Sequence, residues 1–351
     1  MARHKMSLSV EYVSDWGVQE ALRELFQNSI DHGDWEYKLF KSRIELRSKN
    51  TSLDNATLLL GHSRKSEGAI GKFGEGFKLA CLVLTRLGKR VTIDTANEVW
   101  RPKLINSRTY KTQQLVFDTT SSLTKMSDLV FTIEDLTELE LEELKHLNLH
   151  VNVTAAYFCS DKGIVIEDRP GDIFVNGLFV AHMEGYKFGY NFKPQHLSLD
   201  RDRRLVRDFD VQWLTSQIWK DHENFDLILD MIKKELPDVK YLDSFIYSSK
   251  QGLADEAAKA FVTEHGTEAI PVTSQSDLRQ AQEAGHEAII LVPDIQRQLI
   301  HRSTFYVPPA PKIIKKTPRE ELLEFKLDWD MTPNMAESFD ILLEKAERWY
   351  S

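Results

Sequence analysis

Glu24-Leu25-Phe26-Gln27-Asn28-Ser29-Ile30-Asp31 is the stretch from which the fold of this chain is read. Around it, Val18, Ala21, Leu22, Leu25 and Phe26 recur at helical spacing and give one apolar face. Glu24, Asn28 and Asp31 stand at i, i+4 and i+7, within roughly 60° of arc. Three polar side chains therefore leave one side of a helix whose other side is core. Taken alone, such a triplet reads more readily as a solvated helix face, since charged side chains usually meet water.

A second stretch changes that weighing: Ile70-Gly71-Lys72-Phe73-Gly74-Glu75-Gly76-Phe77-Lys78. Three glycines precede a helix-like run, Phe77–Leu87, that stops at Gly88. Glycine permits positive φ and close backbone approach. The helix that follows offers unpaired N–H groups and a positive dipole end, which suits an anion. An ordinary flexible loop is the plainer alternative. The segment is not a Walker loop, because Phe73 follows Gly71-Lys72 where Ser or Thr belongs. It does not fit G-x-G-x-x-G, so a Rossmann fold is disfavoured.

In this order and spacing the two stretches resemble the GHKL ATPases of the Bergerat fold. The first is similar to the N-box, E-x-x-x-N-x-x-D. The second is similar to the glycine box of the heat-shock chaperones, and the pattern lies nearest the chaperone, MORC and MutL-like members. Between them, Leu58-Leu59-Leu60-Gly61-His62-Ser63-Arg64-Lys65 resembles the run that opens the ATP lid. The likeness covers roughly residues 10–95. It implies an α+β chain that opens with a Bergerat ATPase domain, an α/β sandwich whose mixed sheet is covered by helices. It implies ATP and magnesium as ligands, with Glu24 as the base that deprotonates water and Asn28 as the magnesium ligand. Asp31, Asn50, Lys65, Gly71, Lys72, Phe73, Gly74, Glu75, Gly76, Phe77 and Lys78 complete the nucleotide site. The chemistry is self-consistent: magnesium takes oxygen ligands, and phosphoryl transfer asks for positioning and one placed carboxylate.

One departure stands out. The family has D-x-G-x-G before the lid, where the Asp reads adenine. Here the stretch is Leu46-Arg47-Ser48-Lys49-Asn50-Thr51-Ser52-Leu53. Aligned on Leu53, Ser48 takes the place of the Asp, and Asn50 and Ser52 replace the glycines. Losing a hydrogen bond to a charged group is worth about 1.5–3 kcal/mol, roughly ten- to a hundredfold in affinity. Asn50, Asp54 and Asp94 are the available substitutes, and ATP against GTP stays open.

Further on, Asp172–Val180 reads as strand with a tight bend at Asn176-Gly177. His196-Leu197-Ser198-Leu199-Asp200-Arg201-Asp202-Arg203 then resembles a chaperone segment in which one arginine reaches the terminal phosphate. By position that residue is Arg203. A solvated charge cluster and a nucleic-acid phosphate contact are the competing readings.

The chain has 351 residues, 42% of them hydrophobic, enough for several cores. The expected division is 1–150 ATPase domain, 151–248 transducer-like domain, 249–302 small α/β unit, and 303–351 proline-rich link with helical tail. Net charge is −9, with 54 acidic against 45 basic residues, which gives no general attraction to nucleic acid. Two cysteines, Cys81 and Cys159, sit in apolar runs and read as buried reduced thiols, neither disulfide framework nor zinc site. No apolar run reaches 18 residues and the start lacks a signal-peptide core, so a cytoplasmic protein without membrane partner is expected. The expected activity is magnesium-dependent ATP hydrolysis driving a dimerisation switch on an unidentified protein client, in a stand-alone bacterial or phage protein, with Met1–Trp16 as a candidate exchanged arm. A nucleotide-gated module without turnover, a histidine kinase and a DNA-processing accessory factor are the alternatives. A kinase is disfavoured because no dimerisation helix pair precedes the site.

Overall fold

A computed structural model describes residues 1–58, 75–109, 111–197, 207–248, 251–311, 318–328 and 331–349. The chain is α+β and forms two compact units, Met1–Leu214 and Thr215–Ser351.

The first unit opens with β1 (Ala2–Ser9), α1 (Val18–His32), β2 (Trp35–Leu39), β3 (Arg43–Ser48) and a 3-10 turn (Asn55–Leu58). Then come α2 (Gly76–Arg86), β4 (Arg90–Thr95), β5 (Glu98–Ser107), β6 (Thr112–Ser121), β7 (Leu129–Glu134) and α3 (Glu138–Leu147). Seven strands form one sheet in the order β1-β6-β5-β4-β7-β3-β2, and every neighbouring pair is antiparallel. The expected mixed sheet is thus corrected at this place. β3 and β4 run parallel to each other across the α2 connection, but β7 lies between them and pairs antiparallel with both. β1 is laid on the chain's own β6.

Alternation decides the two faces of this sheet. Ile44 and Leu46 on β3, Val91 and Ile93 on β4, and Leu129, Phe131 and Ile133 on β7 enter the core under the helices. α1 buries Ala21, Leu22, Leu25 and Phe26. α2 is buried at every position from Phe77 to Leu84, as expected of a helix apolar all round and enclosed on all sides. It lies between α1 and strands β4 and β5. Burial also pushes the Cys81 thiol up, whereas Cys159, expected to be buried as well, is exposed on Ala156–Cys159, the last strand in the order of a five-stranded sheet. Phe77 sits 6.3 Å from both Phe117 and Phe131, ring centre to ring centre. Arg86, in the last turn of α2, binds the loop before α1. Its Nη1 donates to Val10 O (3.0 Å) and Tyr12 O (3.2 Å), and its Nη2 to Val13 O (3.0 Å) and Trp16 O (2.9 Å).

A five-stranded sheet follows, from β8 (Ala156–Cys159), β9 (Gly163–Ile166), β10 (Asp172–Val175), β11 (Leu178–His182) and β12 (Gly189–Phe192), in the order β11-β10-β12-β9-β8. It is the mixed one: β10 and β12 are parallel. The expected bend is a hairpin turn with Asn176 at φ 51° and Gly177 at φ 79°. Its tip is pinned by His150, whose Nε2 meets Asn176 O at 2.8 Å and whose ring stands edge-on to Trp35.

α4 (Asp208–Trp219) spans the boundary between the units. The second unit holds α5 (Phe225–Lys233), α6 (Gln251–His265), β13 (Ile270–Val272), α7 (Gln275–Glu283), β14 (Ile289–Leu291) and α8 (Asp294–Arg302). β13 and β14 pair in parallel across α7. Tyr306 closes this core; its hydroxyl donates to Ala269 O at 3.0 Å, and burial pushes its pKa up to about 12. α9 (Pro318–Asp328) and α10 (Pro333–Trp349) pack together with Phe325 stacked on Phe339. Among the described residues, no helix is long and apolar enough to cross a membrane.

Candidate functional site

α1 starts and stops where its sequence directs. The Gly17 N–H donates to Glu20 Oε2 at 2.8 Å, and Gly33 ends the helix at φ 96°. Between these ends Glu24 is 6% exposed and Asn28 half-buried. Both face the start of α2. There Gly76 approaches so closely that a Cβ on it would overlap the Glu24 carboxylate oxygen, and would lie 3.5 Å from Glu24 Cδ and 3.6 Å from Asn28 Nδ2. Only glycine fits this position without displacing the carboxylate.

The α2 N-terminus is unusual in its charge. The N-cap residue Glu75 gives no side-chain cap, and no acidic residue stands in the first turn. Lys78 stands there instead, fully buried, with its ammonium 5.6 Å from the Phe77 ring centre. Helix starts normally collect carboxylates, not cations. Burial lowers the Lys78 pKa, and the Glu75 charge opposes that shift. The helix start thus holds a buried lysine with two carboxylates close by, Glu75 at the N-cap and Glu24 against Gly76.

Of the residues singled out in the sequence, Glu24, Asn28 and Gly76 converge here. Phe77 is a core residue, its ring given to Phe117 and Phe131. Asp31 shares the α1 face and accepts from Gln27 Nε2 at 2.8 Å. Asn50 lies beyond the end of β3, exposed and left-handed at φ 51°, its N–H donated to Asp128 Oδ1 at 3.1 Å. That bond, with Arg47 and Ser127, holds the Asp128 carboxyl below its usual range. Lys65, Gly71, Lys72, Phe73, Gly74 and Arg203 lie outside the described residues.

Two candidate base-reading groups are placed elsewhere. Asp54 caps the 3-10 turn, accepting Thr57 N (3.0 Å) and Thr57 Oγ1 (2.9 Å). Asp94 lies between the inward Ile93 and Thr95 of β4, and so projects from the sheet face opposite the helices. Ser48 points inward, 5% exposed, its Oγ 3.4 Å from Ser29 Oγ on α1. A polar residue missed in the sequence is Thr95: its Oγ1 accepts from Leu53 N at 2.7 Å and ties the stretch after β3 to β4. Its signal was there, a hydroxyl in register with the core positions Val91 and Ile93. Among the described residues no three His, Cys, Asp or Glu side chains cluster as metal ligands.

No family model matches the chain. The chain is similar to an uncharacterized protein of Mycoplasma pneumoniae (strain ATCC 29342 / M129 / Subtype 1), 26% identical over 239 residues. The match covers 60% of this chain and 95% of that protein.

Proposed function

We propose that the first unit is a Bergerat-type ATPase domain that binds a nucleoside triphosphate with magnesium and hydrolyses it to run a conformational switch. The observation that carries this reading is the approach of Gly76, at the α2 N-terminus, to Glu24 and Asn28 on α1. The residues present suit the ligands. The α2 N-terminus and the Lys78 ammonium suit phosphate oxygens, and the Asn28 side-chain carbonyl is a hard oxygen donor of the kind magnesium takes. Magnesium, when bound, would neutralise phosphate charge. Glu24, held nearly dry beside Asn28, would orient the attacking water and take its proton.

The test is calorimetric binding of ATP and GTP, each with magnesium, beside steady-state phosphate release. Glu24→Gln is expected to cut turnover about a hundredfold or more while leaving affinity within a few fold. Asn28→Ala is expected to remove the magnesium dependence of binding. Turnover unchanged in Glu24→Gln, with the fold intact, would sink the assignment of the base.

A second reading, a nucleotide-gated module with little turnover, is favoured by Ser48. The residue where the base-reading carboxylate belongs is buried against Ser29. Tight binding without phosphate release would select it.

A further inference from the structure

The face of the seven-stranded sheet turned away from α1 and α2 has an uneven charge. Met6 and Leu8 on β1, Trp100 on β5, and Leu115 and Phe117 on β6 belong to the core. Alternation therefore sends Arg3, Lys5, Arg101, Lys103 and Asp118 to the opposite side. The register sets Arg3 and Arg101 on either side of Asp118, and Lys5 and Lys103 on either side of Val116. With strands about 4.8 Å apart and a two-residue step of about 6.7 Å, the four cations mark a rectangle of roughly 10 by 7 Å.

Each of the four is exposed, while Asp118 is only 3% exposed. Asp118 works from beneath. It accepts from Arg3 Nε (2.6 Å) and Nη2 (2.9 Å), and Lys103 Nζ lies 3.3 Å away. Two cations are thereby held in place with their outer sides open to water. The end of the β5–β6 hairpin adds Arg108 and Lys111, both exposed. Lys5, Arg108 and Lys111 have no ion pair among the described residues. Asp94 on β4, which feels the charges of Arg101 and Glu45, bounds the patch. Four strand cations, with two more at the hairpin end, thus stand against two carboxylates, Asp118 and Asp94, on a chain whose net charge is −9.

We propose that this face binds the phosphate backbone of double-stranded nucleic acid without reading its sequence. Arg3, Lys5, Arg101 and Lys103 lie in two rows on a rigid sheet, the arrangement that a polyanion's regular charges can match. Ser7, beside this group on β1, is exposed and adds a hydroxyl of the kind that hydrogen-bonds to phosphate oxygens. Among the described residues no aromatic ring stands beside Arg3, Lys5, Arg101 and Lys103 on this face, so unpaired bases find nothing there to stack on, which favours the duplex over single strands. Binding of this kind releases counterions and is steeply salt-dependent. It is independent of the nucleotide reading above.

The experiment uses the full chain and a 20-base-pair DNA duplex of arbitrary sequence, titrated without nucleotide across a salt series. Six phosphate contacts give a log–log slope of about −5 and roughly a thousandfold loss of affinity between 50 and 200 mM salt. The triple variant Lys5→Ala, Arg101→Ala, Lys103→Ala is expected to keep its unfolding temperature. Its slope should fall to about −2.7, with only about a fortyfold loss over the same range. Vesicles containing phosphatidylserine and a single strand of equal length are run alongside. No binding to the duplex at 50 mM salt would overturn the proposal. So would an unchanged slope in the triple variant, or a preference for vesicles or single strands over duplex. Glu24→Gln should bind the duplex as the parent does, so failure of either reading is seen separately.

Discussion

Replacing Gly76 by alanine tests the convergence on which the site rests. In a helix, alanine is normally better than glycine by about 0.8–1.0 kcal/mol. At this position the added methyl would overlap the Glu24 carboxylate, itself 6% exposed and walled in by α2. Forcing an extra carbon into a packed site costs about 1–3 kcal/mol. The net expectation is a loss of up to about 2 kcal/mol. At roughly 2–4 °C per kcal/mol for a unit of this size, the unfolding temperature drops by several degrees. In a Glu24→Ala background the obstacle is gone, and the same Gly76→Ala change should stabilise by about 1 kcal/mol. The sign reversal is the diagnostic. Thermal or urea unfolding of the four proteins, parent, two singles and double, measures it directly. Additivity within about 0.5 kcal/mol would show that the two residues do not meet, and the site geometry would fall with it. Nucleotide affinity adds an independent reading, because a methyl at the helix start intrudes on the place proposed for the phosphates.

Arg86→Ala should unfold the unit early, since one guanidinium serves four carbonyls of the loop before α1. A loss of about 3 kcal/mol is expected by calorimetry, and Arg86→Lys should recover less than half, because an ammonium lacks the planar fork. Asp118 supplies an acid-side transition. Hydrogen bonding from Arg3 above all, with help from Lys103, holds its pKa at about 2 against an ordinary value of 3.8. The pairing therefore stabilises fully above about pH 4 and is lost as the pH falls from about 4 to about 2. Unfolding measured against pH should lose that portion of its acid limb in Asp118→Asn.

Much of the fold was legible because its decisive parts are local. The apolar period of Val18–Phe26 gives α1, and the run from Phe77 to Gly88 gives α2 with its stop, Gly88 at φ 77°. Asn176-Gly177 gave the hairpin bend for the same reason, since only residues at ease with positive φ make that turn. Strand order was not legible. The insertion of β7 between β3 and β4 is a pairing of Arg43–Ser48 with Leu129–Glu134, and no local pattern encodes it. The basic face escaped notice for a related reason. Its central cations sit at 3, 5, 101 and 103, and they meet only because β1, β5 and β6 are neighbours. Net charge averages them away.

The candidate site divides along the same line. Glu24 and Asn28 share a face by helical period alone, and glycine before a helix announces a close approach. The base-reading end instead depends on what strands bring together, and there the polar groups are engaged with one another. Ser48 Oγ lies by Ser29 Oγ, Thr95 Oγ1 takes the Leu53 N–H, and the Asn50 N–H goes to Asp128. A carboxylate at 48 would have to sit where this serine is 5% exposed beneath α1, dry and beside a neutral hydroxyl, a costly place for a charge. The serine is thus consistent with its surroundings rather than a worn remnant of a motif. That consistency explains why the reading concentrates on triphosphate and magnesium. The groups that would hold them are set by two helices, whereas around the stretch after β3 the hydroxyls of Ser48 and Thr95 are already engaged within the protein.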